Sequence, residues 1–258
     1  MGYNKVIVSG TLIETYEYER ELHQSGKKYR AKQGVLDDRV MGDSGANKQQ
    51  AESVRKKNKR RPDNAKRAAV VFRRLVAAQL DGVACPLLIT LTYARNETSL
   101  KVGYSDFRRF IQLARRQFGL DFKYIAVPEF QRRGAVHFHA LFWGLPEEVL
   151  GQERHTRLVA KLWGCGFVFL KQTDGDRKIA AYLAKYMSKA YLDDRLAGLK
   201  AFTSSQNLIR PVAVGRNGPL WPVFEDLKVI PSHQLKESSY DTQWLGRCIY
   251  KQILKQDV

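Results

Sequence analysis

Glu129, His137 and His139 supply one carboxylate and two imidazoles, a mixed oxygen and nitrogen donor set that leaves coordination positions open. Such a set suits manganese or magnesium resting against a phosphate better than a closed structural zinc. Further along, Tyr182-Leu183-Ala184-Lys185-Tyr186 offers two phenols one helical turn apart. A phenol with a pKa near 10 is protonated at neutral pH, so its use as a nucleophile needs a nearby cation or a base. Lys185 and Lys189 stand at the spacing to provide one.

The elements that must position these groups are legible. Side chains two apart on a strand share a face, so His137 and His139 project together while Val136, Phe138 and Ala140 face the other way. Arg132-Arg133-Gly134 reads as a three-residue hairpin loop with glycine at the left-handed position, which sets Glu129 roughly opposite His137. On a helix over 177–191, Tyr182, Lys185, Tyr186 and Lys189 share one face, and Ile179, Leu183, Met187 and Ala190 form the apolar stripe that docks it. Taken singly, the histidines read better as satisfied core groups and the tyrosines as packing aromatics. Their conjunction reads better as a metal-assisted attack by tyrosine on a phosphodiester. In that attack tyrosine displaces the 3′ oxygen and retains the 5′ phosphate, and a second tyrosine can act while the first adduct persists.

Elsewhere the pattern predicts a hairpin over 6–18 turning at Ser9-Gly10, a helix from Pro62 to about Leu80, and a buried strand over Pro86–Tyr93 ending in alternating threonines. The helix has apolar Val70, Val71, Leu75, Val76 and Leu80 on one side and Lys66, Arg67, Arg73 and Arg74 elsewhere. A helix over Ser105–Phe118, strands over 122–130 and 135–143, a helix over 154–163 and a strand over 167–170 follow. The alternation predicts an α+β domain, an antiparallel sheet covered by helices. Trp221 and Trp244 are expected in the core.

The chain has 258 residues, 44% of them hydrophobic, enough for one large globular domain with elaborations. Its parts are an N-terminal hairpin (1–25), a basic loop and helix for DNA contact (26–82), a catalytic core (83–191) and a C-terminal elaboration (192–258). A net charge of +18 favours a polyanionic partner, nucleic acid ahead of a membrane surface. Between Gly26 and Gly82 stand sixteen Lys or Arg against six Asp or Glu, so the charge is local. Arg55, Lys56, Lys57, Lys59, Arg60 and Arg61 in that stretch, with Arg132 and Arg133 of the hairpin loop, are the expected DNA contacts. Three scattered cysteines support neither a disulfide frame nor a zinc site. Neither a signal peptide nor a membrane-length apolar run is found, so a cytoplasmic protein without membrane contact is expected.

Three segments resemble the HUH endonuclease superfamily, in particular the two-tyrosine initiators of rolling-circle replication in phages and related elements. They are Leu88-Ile89-Thr90-Leu91-Thr92-Tyr93, the stretch from Val127 to Leu141 around Glu129, His137 and His139, and Ala181-Tyr182-Leu183-Ala184-Lys185-Tyr186-Met187-Ser188-Lys189. The resemblance implies an RRM-like (ferredoxin-like) palm with the histidines on a central strand of an antiparallel sheet. It also implies metal ligation by Glu129, His137 and His139, and nucleophilic roles for Tyr182 and Tyr186 with Tyr186 slightly favoured. Residues 202–211 resemble a post-catalytic stretch of such phage proteins, with no chemical role assigned to them.

The expectation is thus a nickase and strand transferase acting at a single-stranded DNA origin with Mn2+ or Mg2+. No nucleotide-binding Gly-x-x-x-x-Gly-Lys-Ser/Thr loop occurs, so a host helicase and DNA polymerase are the expected partners. A relaxase or transposase of the same chemistry, or a non-catalytic single-stranded nucleic-acid binder, remains the alternative.

Overall fold

A computed structural model of the chain describes residues 2–22, 62–80, 85–146, 153–173, 179 and 200–255. The chain divides into two compact units, one of Met1–Val40, Ala77–Asp81 and Ile209–Val258, the other of Met41–Val76 and Gly82–Leu208. Each is built on its own five-stranded antiparallel sheet.

In the first unit β1 (Tyr3–Ser9) and β2 (Leu12–Tyr18) form the expected hairpin, turning at Gly10 with φ 62°. β8 (Val212–Asn217), β9 (Pro231–Thr242) and β10 (Gly246–Lys255) join them in the order β8-β1-β2-β10-β9. Val6 and Ile13 on one face pack with Val223 and Phe224 of a short helix, Trp221–Asp226. Trp221 and Trp244 are exposed, contrary to expectation. Trp244 sits in the β9–β10 turn and Trp221 at the first turn of that helix, where neither is covered.

The second unit holds β3 (Leu87–Thr92), α2 (Leu100–Phe118), β4 (Lys123–Phe130), β5 (Val136–Trp143), α3 (Glu153–Trp163) and β6 (Val168–Gln172). Here the helices are numbered in chain order, with α1 at Pro62–Ala77 and α4 at Trp221–Asp226. The strand order is β6-β3-β5-β4-β7, where β7 is Thr203–Ser204. A β-α-β-β-α-β chain with β5 inserted between β3 and β4 is the split βαβ arrangement, consistent with an RRM-like palm. The α+β class read from the sequence is therefore found, though with two sheets instead of one.

β3, β4 and β5 bury one face under α2 and α3. Leu87, Ile89, Leu91, Phe138, Ala140 and Phe142 from the sheet meet Phe107, Phe110, Val159 and Trp163 from the helices. α2 begins five residues before the expected Ser105, because Ser99 is its N-cap and accepts from the Val102 amide. Gly103, inside the added first turn, is a site of close approach: a Cβ there would stand 3.0 Å from Val136 Cγ1. α1 ends at Ala77, and its fully buried Phe72 meets Phe202 edge-on at 5.6 Å. Segment 202–211, without an assigned role in the sequence, supplies β7. Ser205 donates its amide to Tyr124 O and accepts the Tyr124 amide on its hydroxyl, which extends the sheet beyond β4.

Phe138 is fully buried between Tyr104 and Phe107 of α2. Phe138→Ala should cost about 3–5 kcal/mol by the transfer and cavity terms, read as a lower midpoint in urea denaturation with an unchanged slope.

Candidate active site

The face of this sheet opposite α2 and α3 carries the expected donors. In the β4–β5 register Glu129 pairs with His137, and Val127 with His139. The loop that sets this register closes through the Gln131 amide on Ala135 O, and Gly134 has φ 89°, as the glycine reading requires. The two imidazole centroids are 4.7 Å apart, and Glu129 Oε2 stands 3.1 Å from His139 Nε2. Sequence reasoning therefore paired Glu129 with the right strand position, while the carboxylate reaches diagonally to the second histidine.

β3 completes the arrangement from the other side. Thr92 lies opposite His137 and Thr90 opposite His139. Thr92 Oγ1 is 2.9 Å from His137 Nδ1, and Thr90 Oγ1 is 3.3 Å from His139 Nδ1. A threonine hydroxyl can accept from an Nδ1–H or donate to a bare Nδ1, so it serves either tautomer. When it accepts, Nε2 is left with its lone pair, the state a metal ligand needs. The threonines were read only as the end of a strand. Their alternation at the same period as the histidines was the available signal, but which strand lies beside β5 is a tertiary fact.

The histidines are sunk into the sheet, His137 9% and His139 7% exposed. Burial pushes His137 down to about 4, with His139 and Arg133 acting in the same direction and Glu129 opposing them. It is therefore neutral at neutral pH, as coordination requires.

No three His, Cys, Asp or Glu groups among the described residues stand ready to share one cation. The chemistry of the donor set fits a divalent ion nonetheless: two imidazoles held through Nδ1 and a carboxylate beside them on one sheet face.

Arg133 is exposed, with its guanidinium laid along the loop. Its guanidinium donates to Gln131 Oε1 and to the carbonyls of Tyr93 and Ala94, tying the β4–β5 loop to the end of β3. Arg132 beside it is exposed. Trp163 Nε1 donates to Thr92 O, and Tyr93 donates its hydroxyl to Asp106, so the strand end carrying Thr92 is held by three separate elements. Burial, reinforced by the Asp106 contact, raises the Tyr93 phenol well above its ordinary value.

Tyr182, Lys185, Tyr186 and Lys189, and the basic run Arg55, Lys56, Lys57, Lys59, Arg60 and Arg61, lie outside the described residues. No described helix is long and apolar enough to cross a membrane.

Residues 86–191 match the family model of the replication-associated protein ORF2/G2P. The matched span is less than half of the chain; it runs from the start of β3 and includes the whole Glu129, His137 and His139 constellation. No curated protein and no solved structure matches the chain.

If the threonines orient the ligand rings, Thr92→Val should weaken Mn2+ binding about 10- to 100-fold, the usual cost of losing an outer partner of a ligating histidine. Titration calorimetry with MnCl2 measures this, and an unchanged melting temperature would separate it from unfolding.

Proposed function

We propose that this chain nicks and rejoins single-stranded DNA through a 5′-phosphotyrosine intermediate, initiating and terminating rolling-circle replication of a phage or plasmid. The observation that carries the reading is the sheet register. It sets His137 and His139 on one face, each against a threonine of β3, with Glu129 at bonding distance from His139. The match of residues 86–191 to a replication-associated family supports the same reading.

An Mn2+ or Mg2+ ion held by Glu129, His137 and His139 would polarise the nonbridging oxygens of the scissile phosphate. The remaining chemistry belongs to the chain. The oxygen of Tyr186 or Tyr182 bonds to phosphorus, the bond from phosphorus to the 3′ oxygen breaks, and the departing 3′ hydroxyl carries off a proton. Lys185 or Lys189, three residues beyond each tyrosine, stabilises the phenolate. The 5′ phosphate stays on tyrosine as a diester, so the reverse attack by a 3′ hydroxyl reseals the strand without an external energy source. A second phenol lets one enzyme cleave a new junction while holding the first end. Arg132, Arg133 and the basic stretch Arg55–Arg61 would grip phosphates, and unwinding and synthesis would fall to a host helicase and DNA polymerase.

The test is a denaturing gel. Incubated with origin-bearing single-stranded DNA and MnCl2, the protein should yield a denaturation-resistant band. Chelation or His137→Ala should abolish the band, and Tyr186→Phe should reduce it more than Tyr182→Phe. Binding that disappears wholly on denaturation would instead make the chain a non-catalytic single-strand binder.

A further inference from the structure

β6 is an edge strand of the site-bearing sheet, and apolar side chains stand on both of its faces. Val168 and Leu170 pack on the helix-covered core. Phe167 and Phe169 are 71% and 60% exposed on the opposite face, and Lys171 continues their row in the open. Phe169 pairs with Thr90, and the Thr92 amide donates to Phe167 O. The site face therefore reads in rows across the strands. One row runs Phe169, Thr90, His139, and the next runs Phe167, Thr92, His137 and Glu129.

We propose that Phe167 and Phe169 form a base-stacking platform for single-stranded DNA, holding the nucleotides next to the phosphate at the histidines. Two exposed phenylalanines on one short strand are costly unless something covers them. Strands lie about 4.8 Å apart, so the rings stand about 10 Å from the imidazoles across β3, a span of a few nucleotides. The cradle is sunken while the platform stands proud, which suits a strand whose backbone dips to the cradle and whose bases turn onto the rings. A phenyl face stacks on any base, and Lys171 supplies a cation for the adjoining phosphate on a chain of net charge +18. The strand end is fixed for the purpose: a Cβ on Gly166 would come within 2.3 Å of Ala94 N and 2.4 Å of Thr92 O, so only glycine lets Phe167 start at this register.

The choice of occupant rests on the proposed function, but the platform can be tested without cleavage. Anisotropy of a fluorescein-labelled thymidine 20-mer, titrated with the full chain in EDTA, needs neither metal nor tyrosine. Phe167→Ala and Phe169→Ala should each weaken binding about tenfold or more. Phe169→Leu should behave like the alanine variant, and Phe169→Trp should retain affinity, a split that apolar burial alone would not produce. Circular dichroism melting confirms that each variant is folded. Wild-type affinity in both alanine variants, or no oligonucleotide binding by the unmodified chain, would overturn the platform. So would a wild-type dimer in sedimentation that these substitutions convert to monomer, since the rings would then cover a second copy. Loss of binding in the variants together with no covalent adduct from the unmodified chain in MnCl2 would uphold the platform and remove the nickase reading.

Discussion

β5 is buried along all of its length and hydrogen-bonded on both sides, to β3 and to β4. Each of its side chains is thereby committed to one face. Phe138, Ala140 and Phe142 go to the helix-covered core, and His137 and His139 go to the other face. A slip of one residue would send phenylalanine to the site and imidazole into the core, so the cost of misplacing Phe138 also fixes the histidines. The geometry of the candidate site is in this sense a by-product of hydrophobic burial.

The neighbouring strands turn that commitment into an oriented site. β3 contributes a threonine at each histidine, and β4 brings Glu129. Both are pinned at the same end. Arg133 ties the β4–β5 loop to the carbonyls after β3, and Trp163 from α3 holds Thr92 O. The Arg133 charge also helps to keep His137 neutral.

The first unit obeys a different logic. Its sheet is assembled from the two ends of the described chain, with β10 beside β2 and β8 beside β1. Cross-strand pairs hold it: Tyr16 against Tyr250 at 5.0 Å, and the Tyr250 hydroxyl donating to Glu14. Burial and the Glu14 carboxylate both raise the Tyr250 phenol, which leaves it a hydrogen-bond donor. Such non-local pairings have a stability contribution that depends on neighbours far away in sequence.

The sequence by itself determined the donors and their period. His137 and His139 two apart on a strand, the glycine of the Arg132-Arg133-Gly134 loop, and hence Glu129 opposite His137 all follow from local backbone geometry. The order β3-α2-β4-β5-α3-β6 was equally legible, because periods of two and of 3.6 are local signals. Only the tertiary structure decided that β3 lies beside β5, so that Thr90 and Thr92 meet the histidines. It alone decided that Gly103 marks a close packing contact inside a helix, that Arg133 bonds to the carbonyls after β3, and that Trp244 is exposed. The division has one cause. Alternation along a strand is set by bonds between adjacent residues, whereas the identity of the neighbouring strand is set by which faces can bury each other, a property no single segment carries.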